Sequence, residues 1–268
     1  MKIARVFPTK TSMSPTDPDA YFDAPDLFTP IYDEVHISVT FTWDKEHAFN
    51  LADAWLRHGQ VKIGGPGVDG ESTAVFKEGV YLRKGVTITS RGCPNNCGFC
   101  MVRHGLIEND DFPEGNIIQD NNLLACSDRH LDLVWSMLKR QKAIELKGGL
   151  ESSRITRIIA RTLRYLRIKT LWLACDCAQD IGPLRKAMEI LQAAGFMRRQ
   201  LFCYVLCGKD MIEEENRLRS VYEAGAIPFA QLYRNKEDSV KYSKEWKRFA
   251  RSWSRPAVIK AMIKAREG

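Results

Sequence analysis

The chain has 268 residues, 44% of them hydrophobic and 27% charged, with a formal net charge of +7. That length suits one sizeable domain with room for a small second unit, and the composition excludes disorder, collagen and low complexity. No run approaches the roughly 18 apolar residues of a membrane span, and the N-terminus is too short and polar for a signal peptide, so the expected setting is the reducing cytoplasm, away from membrane.

In chain order, residues 2–7 read as a short strand. Residues 8–30 carry Pro8, Pro15, Pro18, Pro25 and Pro30 and read as irregular loop. Residues 35–41 alternate as a strand. Asp44 stands where it would cap a helix running to about His58, with Phe49, Leu51, Ala52 and Leu56 as its apolar positions. Val61-Lys62-Ile63 runs into Gly64-Gly65-Pro66-Gly67, a strand entering a tight turn. Residues 1–78 are therefore expected to be a small β-α-β unit with one loop insert.

From residue 85 the rhythm becomes strand, then helix. Strands are expected at 86–90, 116–119, 143–146, 170–175, 201–206 and 227–232. Helices are expected near 128–140, 152–167, 181–195 and 211–224. Short apolar strands separated by helices indicate an α/β core, a parallel sheet wrapped by helices, over residues 79–235. Six strands make a curved sheet, open or partly closed, rather than an eight-fold barrel. Ligands of such sheets sit at the carboxyl ends of the strands.

The remainder, 236–268, is expected to be basic helices. Between Arg234 and Gly268 eleven Lys and Arg face four acidic residues, which accounts for the whole charge excess. A basic tail invites a nucleic-acid reading. Tyr242, Trp246, Phe249 and Trp253, however, fall on one helical face. That pattern predicts a helix docked on the core with a solvated cationic back, able to steer an anionic substrate or an acidic electron donor.

The sharpest local signal is Arg91-Gly92-Cys93-Pro94-Asn95-Asn96-Cys97-Gly98-Phe99-Cys100. In a reducing compartment its cysteines read as metal or redox chemistry. Gly92, Pro94 and Gly98 let the loop curl so that three sulfurs converge. Three thiolates can hold three irons of a [4Fe–4S] cluster and leave the fourth iron open. A zinc site would need a fourth protein ligand, for which His104 is the nearest candidate.

This segment resembles the signature of the radical S-adenosylmethionine (radical SAM) superfamily: three cysteines in C-x-x-x-C-x-x-C spacing, with the aromatic Phe99 before the last. The resemblance extends over about residues 85–235. Within the superfamily the chain is most similar to the cobalamin-binding-type Fe–S oxidoreductases, through Gly64-Gly65-Pro66-Gly67 and the Ser90–Pro94 run. It departs from them in its shortened N-terminal unit, which lacks their Asp-x-His-x-x-Gly motif. That unit is therefore read as a reduced relic or cap without cobalamin.

The resemblance implies a partial (β/α)6 barrel, a [4Fe–4S] cluster on Cys93, Cys97 and Cys100, and S-adenosylmethionine as cosubstrate. It implies reductive cleavage to methionine and a 5′-deoxyadenosyl radical that abstracts hydrogen from an unidentified substrate. The electron would come from a small flavodoxin- or ferredoxin-type reductase.

The strand ends then supply a candidate cradle. Asp120, Asn121 and Asn122 could hold the amino-acid part of the cosubstrate, although Asn and Asp equally favour turns and caps. Gly148 and Gly149 permit close backbone approach. Asp176 could accept from ribose hydroxyls, or cap a helix. Gly208 could admit the purine, with Val205 or Leu206 against its face. Arg103, His104 and Arg129 follow strand-end motifs and could serve substrate, though such residues are more often solvated. Cys126, Cys175, Cys177, Cys203 and Cys207 are read as small packing residues. Two further readings stand beside this one. One is a methyl or methylthio transferase, opposed by the missing histidine motif and by the absence of cysteines before Cys93. The other is a zinc- or cluster-stabilised nucleic-acid-binding protein, favoured by the basic tail.

Overall fold

The computed structural model describes residues 1–68, 81–102, 105–235, 237 and 239–267. Arg103 and His104 lie outside the described residues. The chain divides into two compact units, Met1–Val86 with Asn235–Ser239, and Thr87–Arg234 with Val240–Gly268.

The first unit is a parallel sheet of β1 (Ile3–Val6), β2 (Ala20–Tyr21), β3 (Glu34–Ser38) and β4 (Gln60–Gly64), in the order β2-β1-β3-β4. One helix, α1 (Lys45–Trp55), lies between β3 and β4 in sequence. The period-2 pattern puts Ala4, Val6, Val35 and Ile37 on one face, packed with Ala48, Leu51, Ala52 and Trp55 of α1. Asp44 is buried in a short 3₁₀ turn and makes no side-chain cap, contrary to the expectation. The proline-rich segment is more ordered than its composition suggests. It contributes β2, and the Trp55 indole donates to the Asp23 carbonyl at 3.2 Å. Two residues are too few to carry a periodicity signal, which is why β2 escapes a sequence reading. The other sheet face is polar: Glu34 bridges His36 at 2.6 Å and Lys62 at 2.5 Å.

At the last residue of β5 (Gly85–Thr87) the second unit begins, and there follow a ribbon of β6 (Ser90–Arg91) and β7 (Ile107–Glu108), then β8 (Gly115–Ile118), β9 (Ile144–Leu150), β10 (Ile168–Ala174), β11 (Leu201–Cys207) and β12 (Ile227–Leu232). Six of these form one sheet in the order β12-β11-β10-β9-β8-β5. The β8–β9, β9–β10, β10–β11 and β11–β12 pairs run parallel, as the alternation with helices requires. The helices are α2 (Asp128–Lys139), α3 (Arg157–Tyr165), α4 (Ile181–Ala193) and α5 (Met211–Glu223). Three of their starts are capped: Ser127, Thr156 and Asp210 side chains accept backbone N–H groups of α2, α3 and α5.

Leu131, Val134 and Leu138 of α2, Leu163 of α3, Leu184 and Met188 of α4, and Leu218 and Val221 of α5 share one core with Leu146, Leu171, Leu173, Cys203 and Val205 of the sheet. Each such side chain contributes roughly 1.5–3 kcal/mol by leaving water. Strand β11 alternates strictly, with Leu201, Cys203, Val205 and Cys207 buried and Phe202, Tyr204 and Leu206 half-buried. On that second face Trp172 stacks on Phe202 at 4.5 Å and Tyr204 at 4.6 Å, with Phe229 edge-on.

The tail forms α6 (Lys244–Ser252) and α7 (Pro256–Glu267). Trp253 and Ile259 are buried in the core of this unit, with Trp246 and Phe249 against it. Lys244, Lys247, Arg248 and Arg251 are exposed. Ala230 N donates to the Trp253 carbonyl at 3.2 Å, so the tail also covers the free edge of β12. No helix among the described residues is long and apolar enough to cross a membrane.

Candidate functional site

The cysteine loop is pinched at its neck. Ser90 pairs with Glu108 and Arg91 with Ile107 in the antiparallel β6–β7 ribbon. Glu108 in turn accepts from both the backbone N–H and the hydroxyl of Ser127, which fixes the ribbon to the start of α2. Within the loop Cys93, Cys100 and Phe99 are half-buried and Cys97 is exposed. Cys93 Sγ accepts from Asn95 N at 3.4 Å and from Asn122 Nδ2 at 3.3 Å. Cys100 Sγ accepts from Val102 N at 3.4 Å. Burial pushes the Cys97 thiol up, and the fields of Cys100, Cys93, Asp176 and Asp180 add to it.

The polar run after β8 grips this loop. Asp120 is 2% exposed. Its carboxylate accepts from Thr89 N at 2.6 Å, from the Thr89 hydroxyl, and from Ser90 Oγ at 2.9 Å. Thr89 Oγ1 gives its proton to Asp120 and so accepts from His130 Nε2 at 3.1 Å, which places the imidazole proton on Nε2. Asn121 Oδ1 accepts from Gly92 N at 3.0 Å. Asn122, 3% exposed, donates from Nδ2 to Cys93 and, at 2.7 Å, to Glu151 Oε2, while its buried Oδ1 has no partner among the described residues. Two acceptors on the same side fix the amide orientation. The three residues expected to hold a cosubstrate are therefore occupied, in the structure, with the start of the cysteine loop.

Glu151 joins them and was not singled out by the sequence. It accepts from Asn122, from Asn95 Nδ2 at 3.0 Å, from Ser153 and from Arg154 Nε at 2.8 Å. Burial works to raise its carboxyl, but those hydrogen bonds outweigh it and hold it at about 2. Its signal was positional only, a carboxylate two residues beyond Gly148-Gly149. Gly148 itself is required by its neighbour: a Cβ there would lie 1.7 Å from the Asp120 carbonyl oxygen. Gly149 has φ +88°, open to glycine at little cost.

The ends of β10 and β11 are arranged differently. Asp176 Oδ1 accepts from Leu206 N at 3.1 Å, tying the two strands together. Burial raises its carboxyl to about 6 against the opposing Leu206 hydrogen bond. Asp180 Oδ2 accepts from Asp176 N and Cys177 N at 2.8 and 2.9 Å. Val205 is fully buried on the helix side, so of the pair Val205 and Leu206 only Leu206 lies on the opposite face. The space beside Gly208 is taken by Tyr242, whose hydroxyl would stand 2.1 Å from a Cβ at that position. Cys126, Cys175, Cys203 and Cys207 are buried; Cys177 is half-buried. Arg129 forms a two-point ion pair with Asp110 at 3.0 and 2.9 Å on the surface.

Among the described residues no group of three His, Cys, Asp or Glu side chains is gathered closely enough to hold a metal ion. The donor chemistry of the loop nevertheless suits an iron–sulfur group: three thiols on one short loop, two of whose sulfurs already receive N–H donors. No family model, curated protein or solved structure matches the chain.

Proposed function

We propose that the chain is a radical SAM enzyme of partial (β/α)6 barrel fold, in which Cys93, Cys97 and Cys100 hold a [4Fe–4S] cluster. The observation that carries this reading is the three-cysteine loop fastened to the carboxyl ends of β8 and β9 through Asp120, Asn121, Asn122 and Glu151. Carboxyl ends are where open parallel sheets present their ligands. When bound, the cluster and S-adenosylmethionine supply a one-electron cleavage that generates the 5′-deoxyadenosyl radical for hydrogen abstraction from substrate.

The chain's own part is positioning. Asn122, Asn95 N and Val102 N donate to Cys93 and Cys100 and offset charge on those sulfurs. Asp120 holds Thr89 and Ser90, and through them the approach to the loop. Asp176 and the half-buried face of Trp172, Phe202, Tyr204 and Phe229 line the same sheet and would exclude water from the reacting atoms. The electron donor is proposed to be a small flavodoxin- or ferredoxin-type protein in the cytoplasm, and the substrate an anionic one drawn by the exposed cations of α6. The first unit is proposed to work without cobalamin.

Anaerobic reconstitution with iron and sulfide tests the reading. A brown protein with about four irons per chain, turning over S-adenosylmethionine with dithionite to methionine and 5′-deoxyadenosine, is expected. A colourless protein that takes up one zinc and binds nucleic acid would overturn it in favour of the binding-protein reading.

A further inference from the structure

The first unit presents two apolar side chains to water on a rigid support. Leu27 is 99% and Phe28 91% exposed. The turn that carries them is locked from both ends. Asp26 Oδ1 accepts from Phe28 N at 3.0 Å and from the Thr29 hydroxyl at 2.8 Å, and Thr29 Oγ1 accepts from Asp26 N at 2.9 Å. Pro25 and Pro30 flank the turn, so its backbone has little freedom left to lose. The base is pinned to α1 and the turn after it: Trp55 Nε1 donates to the Asp23 carbonyl, and His58 Nδ1 meets the Pro30 carbonyl at 3.2 Å. A solvent-exposed Leu-Phe pair held this firmly is an anchor already ordered before binding, which removes an entropic cost of association.

A groove of about 550 Å³ adjoins the anchor, lined by Pro25, Asp26, Leu27, Phe28, Ala54, Arg57 and His58. Knob and hole thus share one surface. So do opposite charges: Asp26 and Arg57 both line the groove, and no ion pair joins Arg57 to a carboxylate among the described residues. A surface carrying a knob beside a hole and an anion beside a cation is complementary to its own twofold copy. An acidic partner would meet Asp23 and Asp26, and an anionic lipid surface would meet the same two carboxylates.

We propose that this face is a twofold interface between two copies of the chain, in which Leu27 and Phe28 of one copy seat in the groove beside α1 of the other and Asp26 faces Arg57 across the axis. The proposal stands apart from the cysteine chemistry, since every residue it uses lies in the first unit.

Sedimentation velocity of the full chain, from low micromolar to submillimolar protein, tests it. The expected result is a concentration-dependent dimer. Leu27→Asp with Phe28→Asp should weaken dimerisation at least tenfold while leaving the far-ultraviolet circular dichroism unchanged, because neither side chain is packed in the fold. Asp26→Asn keeps the Oδ1 acceptor of the turn and removes the charge; Arg57→Gln removes the other. Each should weaken the dimer several-fold, and the double variant should be no weaker than either alone, the mark of a direct pair. A wild-type chain that stays monomeric throughout, a dimer indifferent to the Leu27/Phe28 change, or a strictly additive Asp26–Arg57 cycle overturns the proposal, the first of these pointing to a different protein or a lipid surface as the occupant.

Discussion

The two halves of the sheet's carboxyl edge are built to different ends. At β8 and β9 the polar side chains are spent mostly on the chain itself: Asp120 accepts three donors, Asn121 holds Gly92, and Asn122 bridges Cys93 and Glu151 through Nδ2, leaving only its buried Oδ1 without a partner among the described residues. At β10 and β11 the corresponding carboxylate, Asp176, accepts one backbone N–H and keeps a carboxyl raised to about 6. Polarity at a strand end does not distinguish a loop anchor from a ligand contact. The number of hydrogen bonds already satisfied within the fold does. By that measure the first half is a vise for the cysteine loop, and the second half retains chemical capacity.

Removing what the vise holds should have the largest effect. Replacing Cys93, Cys97 or Cys100 by Ala is expected to abolish 5′-deoxyadenosine formation and to lower bound iron in anaerobically reconstituted protein. A triple variant that still produced 5′-deoxyadenosine would end the radical SAM reading, whatever its iron content.

Breaking the vise from its backbone comes next. Gly148→Ala puts a Cβ 1.7 Å from the Asp120 carbonyl, and neither strand can retreat without disturbing the β8–β9 pairing. A cost of about 3 kcal/mol in urea unfolding is expected. Gly149→Ala meets no atom nearer than 3.8 Å, yet pays for φ +88°. It should cost about 1 kcal/mol. Equal losses at the two positions would show that the close approach of the strands is not what Gly148 serves.

Much of this architecture was legible because it rests on periodicity. The strand-then-helix rhythm placed all six strands of the large sheet, and the spacing of Trp246, Phe249 and Trp253 placed the tail against the core. What escaped had no period. The β6–β7 ribbon is two residues a side, and β2 is two residues inside a proline-rich run. Within the site, residue type was visible and direction was not. Asp120, Asn121 and Asn122 stood out as polar, but their partners lie some thirty residues earlier: Thr89, Ser90 and Gly92 donate to Asp120 and Asn121, and Cys93 accepts from Asn122. Glu151 looked like the end of a strand until Asn95, Asn122 and Arg154 converged on it. Gly208 looked open because only the folded tail brings Tyr242 beside it.

Asp120→Asn probes the vise more gently. The shape is kept and one acceptor remains for Thr89 N, but the hydroxyls of Thr89 and Ser90 lose their oxygen acceptor in a buried place. About 2 kcal/mol of stability should go. Iron retained after gel filtration should fall with it, because Thr89 and Ser90 lead directly into the loop. Unchanged iron retention at reduced stability would mean that the anchor supports the fold and not the loop.

The smallest effect belongs to the other half of the edge. Asp176 has its carboxyl raised from 3.8 to about 6, burial being the main cause. The folded state therefore holds this proton more tightly than the unfolded chain. The stability it contributes is fully present below about pH 4 and is lost as pH rises through about 6. At pH 7 the ionised, partly buried carboxylate is a burden that Asn does not carry, and Asn still offers an oxygen to Leu206 N. Asp176→Asn should thus raise stability at pH 7 by about 1–2 kcal/mol and flatten the decline between about pH 4 and 6. If the variant is instead less stable at pH 7 and declines as the parent does, Asp176 is as fully engaged as Asp120, and the contrast between the two halves of the edge disappears.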